Sequence, residues 1–230
     1  GQMGSMAVAP ITHKQSIDVR TEFVPVAMAY TNYMVLVASP KLPVKTLAEL
    51  IAYSKANPGK VRLATNGEGG FPHLAMELPK ERSGLDFLHV PYKGSGQPMT
   101  DAMGGQVDLT IAGFSTTYPQ VQAGRLKAIA VTGKSRSANA PNVPTVGETV
   151  PGYEALGWFG YFAPKGTSQA TISAFNEAVN NALKIPDIKE KADVLGLDTA
   201  PGTPAQLGAT WRDDYERWSK VIHSLKLDAK

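Results

Sequence analysis

No cysteine occurs among the 230 residues, which rules out a disulfide framework, a cysteine nucleophile and thiolate metal sites. No apolar stretch reaches the length of a membrane-spanning helix, and the start GQMGSMAVAP has neither the charged beginning nor the apolar core of a signal peptide. Runs of Lys and Arg are also missing, and a net charge of +3 spread along the chain gives no footprint for nucleic acid. The four histidines, His13, His73, His89 and His223, are too dispersed for a metal motif, and HLAME at 73–77 is not the two-histidine zinc pattern. No metal and no other cofactor is expected. Gly67, Gly69 and Gly70 do not complete a dinucleotide fingerprint, because Pro72 stands at the third glycine. Lys93-Gly94-Ser95 has neither P-loop spacing nor the glycine a nucleophile elbow needs at position 93.

What is present is ordinary globular material, 43% hydrophobic and 19% charged, long enough for one large domain or two small ones. Residues 60–98 carry one device twice: strand, glycine-rich turn, helix start. Val61–Thr65, Asn66–Gly70 and a helix over Phe71–Lys80 form the first copy; Leu85–Tyr92, Lys93–Gly96 and a helix opened by Pro98 form the second. Such turns expose N–H groups that the first helical turn cannot pair, and the helix dipole adds positive charge, so a small anion is held without an arginine. Two of them side by side at the carboxyl edge of a parallel sheet make half of an anion site; the alternative is that the glycines only make tight turns.

Elsewhere, Phe23–Tyr30 and Tyr33–Ser39 read as strands separated by Thr31-Asn32, a point where the chain passes between lobes. Thr46 caps a helix over Leu47–Asn57, Gln106–Gly113 is a strand, and Phe114–Gly124 is a helix with Ser115-Thr116-Thr117 as cap candidates. Leu126–Thr132 reads as a strand and a second crossing, followed by an irregular connection over 133–152 and an aromatic strand over Tyr153–Ala163. Helices follow over Thr171–Leu183, Asp187–Leu195 and Pro204–Leu225, the last with Leu207, Trp211, Tyr215, Trp218, Ile222 and Leu225 on one stripe. Met6–Pro10 reads as the end of a strand or loop. The expected fold is α/β, with residues 1–32 plus 132–230 as one discontinuous lobe and 33–131 as the other.

The run HVPYKGSGQPMTDAMGGQVDL from His89 closely resembles the receptor proteins of the tripartite tricarboxylate transporters, the Bug-type periplasmic solute-binding family. So do AGRLKAIAVTGKSRS at 123–137, NVPTVGETVPGYEALGWFGYFAPKGT at 142–167 and VLGLD at 194–198, in the family's order. The resemblance implies a two-lobed, type II periplasmic-binding fold (Venus flytrap) whose cleft closes on a small carboxylate and delivers it to integral membrane transporter subunits. It implies a periplasmic, non-enzymatic, monomeric protein. Ligand-binding positions carried over are Thr65, Asn66, Gly69, Gly70 and Phe71 in one loop, Lys93, Gly94 and Ser95 in the next, and Gly113, Phe114 and Ser115 after the following strand. Gly4 and Ser5 would form a short loop of the other lobe. Against the family, the chain starts about seventy residues late, without the first βα unit and its Pro-Pro-Gly-Gly type carboxylate loop.

His73, in the first helical turn, either contacts the ligand or caps the turn, and Lys93 is either a cation at the cleft mouth or a solvated lysine. Trp158 and Phe159 read as core. The ligand is expected to be a mono- or dicarboxylate, with Phe71, Phe114 and Trp158 suiting an aromatic or longer aliphatic acid. Two other readings are a sensory ligand-binding domain of the same fold and a small α/β hydrolase using Ser95 with His73 or His89.

Overall fold

A computed structural model describes residues 1–94 and 96–228. After a π-helical turn at Gly4–Val8 come α1 (Ala9–Thr12), α2 (Val19–Glu22), β1 (Phe23–Asn32), β2 (Met34–Ala38) and α3 (Leu47–Ala56). The middle holds β3 (Arg62–Thr65), α4 (Phe71–Ser83), β4 (Leu88–Pro91), α5 (Gly96–Gly104), β5 (Leu109–Gly113), α6 (Phe114–Gln122), β6 (Lys127–Val131) and α7 (Val146–Thr149). The chain ends with β7 (Gly157–Pro164), α8 (Gln169–Ala182), α9 (Pro186–Val194), β8 (Leu197–Thr199) and α10 (Pro204–Ser224).

Two compact units result: Gly1–Asn32 with Gly157–Lys230, and Tyr33–Leu156. The central unit is a five-stranded sheet in the order β4-β3-β5-β2-β6. β3 pairs in parallel with β4 and with β5, whereas β2 is antiparallel to β5 and β6. β2 reads Met-Val-Leu-Val-Ala and is buried throughout, the pattern of a strand covered on both faces. Val35, Val37, Ala64, Met99, Val107, Leu126 and Val131 lie in one core cluster. The flanking unit is an antiparallel sheet in the order β7-β1-β8, with Val26 and Ala27 of β1 packed against Ile172 of α8. α10 buries Leu207, Trp211, Trp218 and Ile222 as its stripe requires; Asp214 is buried as well, accepting Trp158 Nε1–H at 2.7 Å.

Several expectations are corrected. The second boundary lies at Leu156/Gly157 and not near 131, because residues 132–156 are tied to the central unit. Ala155 N–H donates to Thr132 O, and Tyr153 O–H donates to Ala75 O at 3.1 Å. Within that segment Thr145 and Glu148 make a reciprocal capping box that starts α7. Met6–Pro10 is helical, running from the π turn into α1. The helix after β5 is capped by Gly113 and not by residues 115–117, since the Thr116 and Thr117 hydroxyls donate back to Gly113 O at 2.9 and 2.8 Å. Two short elements, α2 and β8, had no counterpart in the sequence reading.

Candidate functional site

The register of the parallel strands brings three strand ends to one edge of the central sheet. Arg62 lies opposite Leu88 and Thr65 opposite Pro91, so β3 and β4 end level; β5 flanks β3 on the other side, with Leu63 opposite Leu109. β3 leads through a turn into α4, β4 is followed by α5, and β5 passes directly into α6 at Gly113/Phe114. Crevices outside the carboxyl ends of such strands are where open α/β sheets bind ligands.

Two helix starts at this edge, those of α4 and α6, differ from most others described. α2, α3, α7, α8 and α10 begin with Asp18, Thr46, Thr145, Ser168 and Thr203, whose side-chain oxygens accept a first-turn N–H. α4 and α6 begin at Gly70 and Gly113 with no side-chain cap. First-turn N–H groups have no partner inside a helix, and glycine puts no side chain over them. Both helices therefore turn a positive dipole end toward an anion from outside; in α4 Pro72 has no N–H to give, whereas Ser115 and Thr116 of α6 each carry one.

The sequence-predicted residues fall into two groups. Asn66, Lys93, Gly94 and Ser115 are exposed, and Gly70, Phe71 and Gly113 are half-buried at the same edge. Others serve the architecture. Thr65 is buried, and its hydroxyl contacts Gly67 O at 3.0 Å and His89 Nε2 at 2.7 Å. Gly69 N–H is already used, donating to His73 Nδ1 at 3.1 Å, so His73 caps the turn. Phe114 is buried in the core, edge-on to Tyr33 at 5.3 Å and stacked on Tyr118 at 4.6 Å. Ser95 lies outside the described residues. Gly4 and Ser5 belong to the flanking unit, where they form a helical turn and not a loop, with Ser5 Oγ donating to Gln2 O at 3.1 Å. Trp158 is core, 2% exposed.

Sequence reasoning missed the supports of the two glycine turns. Tyr92 O–H donates to Asp101 Oδ2 at 2.7 Å, tying the second turn to α5 and raising the Tyr92 pKa. His73 and His89 stack at 3.7 Å, and His73 Nε2 lies 3.4 Å from the buried carboxylate of Glu77, which Lys80 also approaches at 3.6 Å. Burial alone would raise the Glu77 pKa, but His73 and Lys80 together outweigh it and lower it. His89 is pushed down to about 4, chiefly by burial and then by His73. With both nitrogens of His73 engaged and His89 Nε2 on Thr65, these imidazoles are poorly placed as general bases. Among the described residues no group of three or more His, Asp or Glu could hold a metal ion, and no helix is long and apolar enough to cross a membrane.

The model of the tripartite tricarboxylate transporter family receptor matches residues 2–227. BugT of Bordetella pertussis is 36% identical over 202 residues, which cover 87% of this chain and 62% of that protein. The chain thus spans less than two thirds of the length of this relative. Among solved structures, an R. palustris protein with adipate superposes with a TM-score of 0.87 at 29% identity, covering 100% of this chain and 78% of that one. MatC from Rhodopseudomonas palustris with bound malate gives 0.80 at 26% identity, covering 96% and 77%.

Proposed function

Because the chain belongs to the tripartite tricarboxylate transporter family of receptors, we propose that it captures a small organic acid at the carboxyl edge of β4-β3-β5. The acid is then handed to integral membrane subunits of a tripartite transporter. The observation that carries this reading is the pair of glycine-started helices, α4 and α6, whose first turns open at one sheet edge without side-chain caps. A carboxylate fits them, since it accepts several N–H bonds and gains from the helix dipoles. The likeness to a structure with adipate and another with malate supports a mono- or dicarboxylate. Lys93, exposed beside the second turn, adds a cation for a second carboxyl group. In this reading the protein is periplasmic, acts as a monomer and performs no covalent chemistry.

The test is a thermal-shift and calorimetric titration with mono-, di- and tricarboxylates, adipate and malate among them. At about a hundredfold excess over Kd, a true ligand adds roughly 2.7 kcal/mol to the folded state. Asn66→Ala lowers that ligand's affinity by about 1 kcal/mol if the exposed amide donates to it. Absence of any shift across the whole panel refutes the carboxylate reading.

A further inference from the structure

Two imidazoles that touch no ligand in the reading above lie against the first glycine turn. His89 faces the same side of the sheet as Leu63 and Thr65, since Leu63 is its register partner and side chains alternate along strands. His73 stands in the first turn of α4, four residues beyond Gly69. The rings are stacked, with centroids 3.7 Å apart and planes within 8°.

Each ring holds one end of the same loop segment. Gly69 N–H donates to His73 Nδ1 at 3.1 Å, and His73 Nε2 faces Glu77 Oε1 at 3.4 Å. Both contacts are met by the neutral tautomer with its proton on Nε2. On the other side, the Thr65 hydroxyl donates to Gly67 O at 3.0 Å, so at the 2.7 Å contact with His89 it must accept, and His89 Nε2–H is the donor. One bond from Gly69 to His73, and one relay from His89 through Thr65 to Gly67, fix the two peptide groups that flank Glu68. Restraint from outside is required here: Gly67 and Gly69 have φ of +149° and +68°, and neither carries a side chain to hold that conformation. An apolar residue at position 73 would fill the space but would leave the buried Gly69 N–H unpaired.

We propose that His73 and His89 are positioning residues for the anion loop, a stacked pair that orients the 67–69 peptide groups and so sets how Gly70 and the positive end of α4 face an anion. The proposal rests on the carboxylate reading of that edge for its purpose, but the loop's conformation can be read without any ligand.

Two substitutions at one position separate the bonds. Asn places its amide oxygen where Nδ1 stands, so His73→Asn keeps the acceptor for Gly69. Gln places its amide nitrogen where Nε2 stands, so His73→Gln keeps the donor to Glu77 and loses that acceptor. Amide hydrogen exchange over residues 66–70 is measured on the wild type and both variants, alongside urea unfolding and titration with adipate and malate. In His73→Gln the Gly69 amide exchanges about tenfold faster or more, with the rest of the chain unchanged, while in His73→Asn it stays close to wild type. His89→Asn, which lacks a donor at the Nε2 position, behaves like His73→Gln. Affinity for whichever acid the wild type binds follows the same order. Equal loop protection in the two position-73 variants, or a loss spread evenly over the central unit, overturns the proposal. If the wild type binds neither acid while loop exchange still separates the variants, the positioning role stands and the carboxylate reading at these two acids fails.

Discussion

Replacing Gly113 by Ala separates folding from binding at the start of α6. The backbone there has φ −57° and ψ 150°, which any L residue adopts, and an added Cβ would meet no atom within 4 Å. The folded state therefore absorbs the methyl without strain, while the unfolded chain loses freedom, which stabilises the variant by about 0.4–1 kcal/mol. In a chain of this size that raises Tm by about 1–4 °C. For a bound carboxylate the same methyl stands in the open space before the first-turn amides. Losing one charge-assisted hydrogen bond costs about 1.5–3 kcal/mol, or roughly 10- to 150-fold in Kd. Calorimetric titration with adipate and malate, paired with thermal unfolding, reads both quantities. An unchanged Kd for an acid that the wild type binds would show that the ligand does not rest on α6. A Tm that falls would refute the open geometry at Gly113.

The contrast is Gly94→Ala: an added Cβ again meets nothing, but φ is +105°, so the variant loses about 1–3 kcal/mol of stability by urea unfolding, and a neutral result would refute that backbone. Stability should also fall with acid through His89. Its folded pKa is depressed from 6.5 to about 4, so the unfolded chain takes up the proton first; the contribution is complete above pH 6.5 and is lost as pH drops toward 4. Discounted for the half-buried ring, the loss is about 1–2 kcal/mol; His89→Gln keeps the donor to Thr65 but does not titrate, and an equal acid loss in both proteins would sink the assignment. Trp158→Phe removes a 2.7 Å bond to the buried Asp214 and should destabilise the flanking unit by about 1.5–3 kcal/mol in urea, with a change under 0.5 kcal/mol showing that Asp214 finds other partners.

Most elements were legible because each rests on a local signal. Thr46 with Glu49, the buried run of β2, and Pro72 after a glycine turn all state their structure within a few residues. The parallel pairing of β3 with β4 was legible for the same reason, since two successive strand-turn-helix units impose it. What was not legible depended on distance along the chain. His73 and His89 meet only through the fold, and nothing in HLAME or FLHVPYK announces a stacked pair. Thr65 and Phe114 were expected to line the ligand, but burial turned the first toward Gly67 and packed the second against Tyr33. Residues 132–156 have no periodicity to reveal which unit they join. Their one local signal, Thr145-Val-Gly-Glu148, is a capping box that would have placed α7. The π turn at Gly4–Val8 defeats a reading tuned to periods of 3.6 and 2.

The position of β2 in its sheet bears on how the chain acquires its structure. The first strand of the central unit pairs only with later ones, Leu36 with Ile111 and with Ala130, so its hydrogen bonds wait until those residues exist and have found it. Non-local pairing of this kind carries a large loop-closure cost and slows folding. The flanking unit closes a still longer loop, because β1 pairs with β7, Phe23 opposite Pro164 and Asn32 opposite Gly157. Until those partners dock, β1 and β2 hold unpaired apolar strand edges, the kind of surface that makes a folding intermediate prone to aggregate.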